Sequence, residues 1–289
     1  MTAALPPGVR APDRAVWING GIERGEHAVL SVFDRGARDG GGIFETVRVY
    51  DGRPFAWQRH LERLVLSAAE LGFPVPPSPA RLREGIDELL AAGRLADAVV
   101  RLTVTRGIAG GRPTHAGAWI EAEPLAGRLW PGTRRGGASV VFSRATCPQG
   151  WICRHKTTSR LAWDLAREEA RAAGADEALF VSPDGHLLEG AASNVFVVRD
   201  GEAITPPLAA DVLPGITRAI VLELCRELGL RAREAPVVAG QLRGAEEVFL
   251  TNSVQEVLPV ASLEGRAVGS CETGVKLLAA YRERVARER

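Results

Sequence analysis

The stretch RHKTTSRLAWDLAREEARA, residues 154–172, places Lys156 and three hydroxyl residues directly before a helical pattern. Small and apolar residues share one face of that helix, and the other face is charged. The apolar positions are Ala162, Leu165, Ala166, Ala170 and Ala173. Residues 176–196, DEALFVSPDGHLLEGAASNVF, then give short apolar strands around a Pro-Asp-Gly turn. A helix followed by closely spaced hairpin strands predicts a mixed α+β fold.

Similar signals run along the whole chain. Asn19-Gly20, Asp51-Gly52 and Asp200-Gly201 each separate two apolar stretches, as hairpin turns do. Between residues 125 and 137, the stretch LAGRLWPGTRRGG loses periodicity and is rich in Gly, Pro and Arg, which predicts a linker. We therefore expect an N-terminal α/β domain over residues 1–124, with 1–14 as a loose leader. Residues 138–289 form the expected C-terminal α/β domain, which carries Lys156.

Composition excludes several classes of protein. The chain has 289 residues, is 46% hydrophobic and 25% charged, and has a net charge of +1. This balance argues against a nucleic-acid or membrane-surface partner. No apolar run approaches the ~20 residues of a membrane span, and the N-terminus lacks the features of a signal peptide. The four cysteines form no C-x-x-C pair, so we expect a cytoplasmic protein without disulfides or metal.

Several residues of the second half suggest cofactor chemistry. Lys156 precedes a helix, Glu189 ends a strand, and Gly215 stands before a helix start that leaves the N–H groups of Ile216 and Thr217 free for an anion. Small polar residues at 251–253 and a helical arginine, Arg63, suit phosphate oxygens. A lysine, an acid and a phosphate cradle together suggest pyridoxal phosphate. Taken singly, each has an ordinary alternative: a solvated loop cation, a strand-end charge, a turn glycine and a surface arginine.

The order of eight stretches narrows these alternatives. They are FDRG, FETVRVYDGRPF, HLERL, VTRG, HKTTSRL, DEALFVSPDGHLLEGAASNVF, LPGITR and TNSVQEVLPV. In this order the chain resembles the class IV aminotransferases, the fold-type IV enzymes that use pyridoxal 5'-phosphate. The resemblance runs from about Val16 to Val260. It implies two α/β domains with the cofactor at their interface, and a homodimer.

The resemblance also implies residue roles. Lys156 resembles the Schiff-base lysine and proton shuttle, Glu189 the partner of the pyridine nitrogen, and Arg63 the phosphate arginine. Ile216 and Thr217 would supply backbone N–H groups, Ser253 a hydroxyl, and Leu213 a contact to the cofactor ring. The remaining cofactor-binding positions implied are Ser193, Asn194, Gly215 and Asn252.

The segment ARDGGGIF departs from the family pattern. Asp39 stands where an aromatic residue is usual, and Gly41 where an aspartate is usual. In the family this segment lines the substrate pocket, together with the position of Phe44. We expect Arg112, with Arg38, to bind the substrate carboxylate, and Asp39 to disfavour acidic side chains. His115 matches a histidine of the same substrate loop in the D-amino-acid transaminases.

The expected function is transfer of an amino group between a D-amino acid or (R)-amine and a 2-oxo acid. Three alternatives remain open at this point. The first is the lyase that releases 4-aminobenzoate and pyruvate from 4-amino-4-deoxychorismate, and the second is a branched-chain amino-acid aminotransferase. The third, from another class, is a non-catalytic cofactor-binding protein, against which the intact Lys156 and Glu189 argue.

Overall fold

The computed structural model describes residues 13–108, 110, 116–145 and 150–288, and contacts divide the chain into two compact units. The first comprises residues up to Arg128 together with Lys156–Ser159, and the second comprises Leu129–His155 and Arg160 onward. The fold is mixed α and β, as predicted. No helix in the described ranges is long and apolar enough to cross a membrane.

The first unit is an antiparallel sheet covered by helices on one face. Its strands are β1 (Ala15–Ile18), β2 (Gly21–Arg24), β3 (Gly42–Tyr50), β4 (Arg53–Pro54), β5 (Ala98–Thr105) and β6 (Ala118–Pro124). Its helices are α1 (Arg35–Asp39), α2 (Trp57–Glu70) and α3 (Pro79–Gly93). The strand order is β2-β1-β6-β5-β3-β4. The apolar faces of α2 and α3 pack on the sheet in one core, whose members include Trp17, Val47 and Leu64.

Glycines and turn residues fix this unit locally. The predicted hairpin turns are confirmed: Asn19-Gly20 and Asp51-Gly52 both have positive φ, at 47° and 108° and at 49° and 76°. Gly85 on α3 lies against the ring of Trp17, which a Cβ atom would meet at 2.7 Å. A side chain at this position would force the helix away from the sheet.

The second unit is a larger mixed sheet with three long helices. It begins with α4 (Pro131–Arg135), β7 (Ala138–Phe142), α5 (Leu161–Ala172), β8 (Glu177–Val181), β9 (Leu187–Gly190) and β10 (Asn194–Arg199). It continues with β11 (Glu202–Thr205), α6 (Ile216–Glu227), β12 (Arg231–Glu234), β13 (Glu247–Asn252), β14 (Glu256–Leu263), β15 (Arg266–Ala267) and α7 (Glu272–Arg287). The order is β12-β11-β10-β13-β14-β7-β8-β9, with β15 beside β14. Parallel pairs (β11/β12, β14/β7 and β7/β8) interrupt the antiparallel hairpins.

The division between the two units falls after Arg128, inside the predicted linker of residues 125–137. That linker is not irregular throughout, because it contains a 3₁₀ turn, Leu125–Gly127, and the helix α4. Lys156 was expected in the second domain, but its segment groups with the first unit because it pairs with β3. The Phe44 N–H donates to the Lys156 carbonyl at 2.8 Å, and the Thr158 N–H donates to the Gly42 carbonyl at 2.8 Å.

The predicted leader, 1–14, lies mostly outside the described residues. Its last residue is not loose, because the Arg14 guanidinium pairs with Glu121 at 2.9 Å and also contacts Glu123. These carboxylates stand on β6, so the chain is attached to the sheet one residue before β1 begins.

Candidate active site

Lys156 lies along the edge of the first part of β3. Thr157, the next residue, forms an antiparallel bridge with Ile43. The Lys156 Nζ atom lies 4.9 Å from the centroid of the Phe44 ring, and Phe44 is itself 4% exposed. The Arg101 guanidinium, from β5, lies 3.7 Å from the same centroid. An ammonium and a guanidinium therefore contact one aromatic ring, an arrangement that favours an anion nearby.

The Lys156 segment is also tied to the glycine-rich segment that follows α1. The Thr158 and Ser159 hydroxyls both donate to the Gly40 carbonyl, at 2.9 and 3.0 Å. Gly40 ends α1 with φ of 65°, and a Cβ atom at Gly42 would meet the Thr158 hydroxyl at 2.7 Å. Glycine at these positions lets the hydroxyls approach the backbone. The hydroxyl residues after Lys156 thus hold its segment in place.

The substrate residues predicted from the sequence are described only in part. Arg38 and Asp39 are exposed, and the Asp39 carboxylate lies 3.5 Å from Arg35 Nε. Phe44 is the buried residue under Lys156. Arg112 and His115 lie outside the described residues.

Arg63 forms part of a buried ionic cluster in the same unit. Its Nε and Nη2 atoms donate to the two carboxylate oxygens of Glu45, at 2.8 and 2.6 Å, and His60 Nδ1 lies 2.7 Å from the same carboxylate. Burial alone would raise the pKa of Glu45, but Arg63 and His60 outweigh it and lower that pKa to about 2. Burial lowers the pKa of His60, which Glu45 opposes. A neutral His60 therefore donates its Nδ1–H to a carboxylate that stays ionised.

Sequence reasoning missed Glu45 and His60, although a signal for both exists. Glu45 stands in β3 on the face that carries Ile43, Val47 and Val49, so an acid interrupts a buried apolar row. His60 precedes Arg63 by three residues on α2, which brings both side chains to one helix face.

In the second unit, Glu189 and its neighbours gather at the end of β9. The Glu189 side chain is 6% exposed, and its Oε2 accepts hydrogen bonds from the Leu213 N–H at 2.9 Å and from Asn194 Nδ2 at 3.4 Å. Asn194 Nδ2 also donates to the Leu213 carbonyl at 3.0 Å. These donors stabilise a negative charge on Glu189 and fix its direction.

The start of α6 has the features of an anion site. Gly215 is its N-cap, and no side chain among the described residues caps the helix. A Cβ atom at Gly215 would lie 1.9 Å from Asn194 Oδ1, so only glycine lets the Asn194 amide approach. Thr217 is 2% exposed, and its hydroxyl has no hydrogen-bond partner in the part of the chain that the structure describes. Free N–H groups, the positive end of the helix dipole and an unsatisfied buried hydroxyl suit a phosphate.

Other predicted cofactor residues contact the protein itself. Asn252 Oδ1 accepts from the N–H groups of Val254 and Gln255 at 2.9 and 2.7 Å, and its Nδ2 donates to the Ala192 carbonyl at 3.0 Å. The Ser193 hydroxyl donates to Glu177 at 2.9 Å. Ser253 lies half-buried in the turn between β13 and β14. Asn252 therefore shapes the turn that presents Ser253.

The described side chains include no group of three or more His, Cys, Asp or Glu placed to hold a metal ion.

Comparison with known proteins gives one consistent family. The model of the class IV aminotransferase family matches residues 42–263. A putative branched-chain-amino-acid aminotransferase of Methanocaldococcus jannaschii is 33% identical over 267 residues, covering 90% of this chain and 91% of that protein. A D-alanine aminotransferase of Bacillus licheniformis is 33% identical over 265 residues, covering 90% and 92%.

Solved structures agree with this result. The branched-chain aminotransferase of Thermoproteus uzoniensis, crystallised with norvaline, aligns with a TM-score of 0.84 at 27% identity and covers 93% of this chain and 94% of its own. A branched-chain amino acid aminotransferase of T.th., crystallised with pyridoxamine 5'-phosphate, aligns with a TM-score of 0.86 at 28% identity and covers 96% of both chains.

Proposed function

This chain belongs to the class IV aminotransferase family, and from that premise we propose that it transfers an amino group from a D-amino acid to a 2-oxo acid. Class IV aminotransferases are enzymes that use pyridoxal 5'-phosphate. The observation that carries the proposal is the position of the Lys156 amine over the Phe44 ring, beside the Arg101 guanidinium.

The residues present fit the cofactor. A phosphate group would satisfy the buried Thr217 hydroxyl and the first N–H groups of α6. Lys156 supplies an amine, and Glu189 supplies a buried carboxylate aligned by Leu213 and Asn194. Arg63 adds a cation whose guanidinium is aligned by Glu45. When bound, pyridoxal phosphate binds amines at its aldehyde and withdraws electrons through its protonated ring.

The roles that we assign to the side chains follow from their chemistry. The Lys156 amine would hold the cofactor through its aldehyde, and the same amine would move the proton that leaves the α-carbon of the substrate. The hydroxyls of Thr158 and Ser159 hold the segment that carries this amine. The Glu189 carboxylate would keep a proton on the ring nitrogen, because an ionised acid favours a cationic partner.

The two cations beside the Phe44 ring in the first unit favour a substrate that carries a carboxylate. Arg101 and Lys156 both contact the Phe44 ring, so an anion there would meet two cations. The sequence predicts Arg112, with Arg38, as carboxylate-binding residues, and Arg101 is a third arginine that the structure adds. A bidentate arginine contact would align the α-carbon for proton removal.

Two classes of amino donor are candidates. The stretches EGAASNVF and GITR resemble those of D-amino-acid transaminases, and a D-alanine aminotransferase is among the relatives. Branched-chain aminotransferases match equally well in sequence and provide the structural neighbours reported above. L-Leucine and L-valine are therefore the second donor class.

A half-reaction panel separates the candidates. The purified enzyme, loaded with pyridoxal phosphate, is mixed with D- and L-alanine, D- and L-leucine, and the (R)- and (S)-forms of 1-phenylethylamine. The absorbance change that accompanies formation of pyridoxamine phosphate is then followed. We expect the D-amino acids to react fastest. Reaction with L-leucine but not with D-alanine would support the branched-chain function instead. Pyruvate release from 4-amino-4-deoxychorismate, with no reaction of any amino acid, would support the lyase.

Single variants test the carboxylate site. Arg101→Ala and Arg112→Ala are compared with one D-amino acid and one (R)-amine as donors. Loss of an arginine that binds the carboxylate should raise KM for the amino acid and leave KM for the amine unchanged. Equal effects on both donors would remove that arginine from the site.

A further inference from the structure

Glu177 is a buried acid to which the roles assigned above give no part. It begins β8 and is 1% exposed. Its Oε2 accepts hydrogen bonds from the Ala192 N–H at 2.8 Å and the Ser193 hydroxyl at 2.9 Å, and its Oε1 accepts from the Ala178 N–H at 3.0 Å. Burial raises the pKa of this carboxyl, which these donors oppose. Burial of an acid costs free energy, so the presence of Glu177 here needs an explanation.

The three donors explain why the residue is an acid. An ionised carboxylate accepts on both oxygens and donates nothing, so it satisfies two backbone N–H groups and a hydroxyl together. A glutamine at this position would place its amide NH₂ group against one of the two backbone N–H groups, which cannot accept a hydrogen bond. Glu177 is thus suited to hold the turn of residues 190–193, which joins β9 to β10.

The other side of this turn is held by an arginine. Arg160 Nη2 donates to the Ala191 carbonyl at 2.6 Å. Position 190 requires glycine, which lets the backbone lie close to Ser193 and Glu177. A Cβ atom there would meet the Ser193 hydroxyl at 2.3 Å and Glu177 Oε2 at 2.9 Å. Two charged side chains therefore bind the polar groups of three successive residues, and the turn lies too close to Glu177 to accept a side chain at position 190.

The turn is bounded by Glu189 and Asn194. Glu189 precedes Gly190 directly, and Asn194 follows Ser193 directly, so the turn sets the separation and direction of their side chains. Their mutual hydrogen bond is long, at 3.4 Å, whereas each is also fixed to Leu213. A change of a few tenths of an ångström in the turn would break that contact and remove one of the donors that set the direction of the Glu189 carboxylate.

We propose that Glu177 is a positioning residue, which holds the 190–193 turn so that the Glu189 carboxylate points at the ring nitrogen of the cofactor. Glu177 touches neither substrate nor reacting atoms and acts through the turn. The inference rests on the role proposed above for Glu189.

The test compares Glu177→Gln with a neighbouring buried acid, in the holoenzyme. Asp176→Asn is the matched control. Its carboxylate also accepts two backbone N–H groups, from Gly132 at 2.8 Å and Ser139 at 2.9 Å, and neither belongs to the turn. Both variants should lower the melting temperature. Only Glu177→Gln should change the ¹⁵N signal of labelled pyridoxal phosphate towards that of an unprotonated ring. Only Glu177→Gln should lower kcat, by roughly 10- to 100-fold, as loss of an orienting partner does.

The outcomes separate this inference from the function that it rests on. A folded Glu177→Gln enzyme with a wild-type ring signal and wild-type kcat overturns the inference. Gly190→Ala displaces the same turn without removing a charge, and decides the question if Glu177→Gln does not fold: a changed ring signal supports the inference, and an unchanged one overturns it. Glu189→Gln is measured in parallel. An unchanged signal there would overturn the proposed role of Glu189 itself.

Discussion

The role proposed for Lys156 depends on its position, as comparison with the other lysine of the sequence shows. The sequence contains two lysines, and Lys276 stands exposed on α7. Lys156 instead lies on a segment that pairs with β3, over a buried aromatic ring. Its backbone and the hydroxyls of Thr158 and Ser159 are hydrogen-bonded, so the amine extends from a fixed base.

Replacement of Lys156 by alanine should abolish turnover, because the only other lysine of the sequence lies on α7. Lys276→Ala removes that other lysine and should leave the rate unchanged. Borohydride reduction of the loaded enzyme, followed by peptide mapping, should find the cofactor attached to Lys156 in wild type and in Lys276→Ala. Attachment at Lys276, or turnover by Lys156→Ala without an added amine, would contradict the assignment.

The helices contribute to the site through their ends and through single faces. α6 begins without a side-chain cap from any described residue, and we propose this open start as the anion site. α2 turns His60 and Arg63 towards Glu45 on β3. α5 shows how packing changes a predicted face: Leu165 was expected inside and is 47% exposed, whereas Trp163 is 8% exposed and packs on Phe180.

Thr217→Val should affect cofactor binding and stability in opposite ways. The buried hydroxyl finds no partner among the described residues, so its loss should leave the stability of the cofactor-free protein unchanged or raise it. Affinity for pyridoxal phosphate should fall by about tenfold, because a hydrogen bond to an anion is lost. Thr103→Val is the control, since Thr103 also has a buried hydroxyl without a partner in the described ranges. Equal affinities of Thr217→Val and wild type for pyridoxal phosphate, measured by absorbance titration, would show that the phosphate binds elsewhere.

Arg63→Ala should weaken cofactor binding and also destabilise the cofactor-free protein. Loss of a charge-assisted contact costs roughly 1.5–3 kcal/mol, which corresponds to about 10- to 150-fold in Kd. The stability loss has a separate cause, since Glu45 stays buried without its bidentate partner. Arg83→Ala removes an exposed arginine of α3 and should change neither quantity. If Arg63→Ala loses stability but keeps the wild-type Kd for the cofactor, Arg63 serves only to pair with Glu45.

Acid stability should reflect the Glu45–His60–Arg63 cluster. The pKa of His60 is lowered from 6.5 and that of Glu45 is lowered from 4.5 to about 2, so the unfolded chain binds more protons than the folded one below these ordinary values. Stability should therefore fall as the pH drops below about 6.5, and again from about 4.5 towards 2. The Glu45 contribution alone corresponds to roughly 3 kcal/mol.

Chemical denaturation between pH 7.5 and 3 checks this dependence. Glu45→Gln should be less stable than wild type at neutral pH and should lose less stability below pH 4.5. Asp87→Asn changes an exposed acid paired with Arg83 and should keep the wild-type dependence. Parallel curves for wild type and Glu45→Gln would show that another acid governs the transition.

The amino-acid sequence by itself determined the parts of this protein that depend on near neighbours. The turns at Asn19-Gly20, Asp51-Gly52 and Asp200-Gly201, the strands beside them and the helix after Lys156 were predicted because turn chemistry and periodicity act within a few residues. The family was recognised from the order of short stretches. Only the tertiary structure decided which charged and polar groups meet. Glu45 and Arg63 stand 18 residues apart, and Glu177 and Ala192 stand 15 apart. Such pairs form only when folding brings separate segments together and removes water from between them.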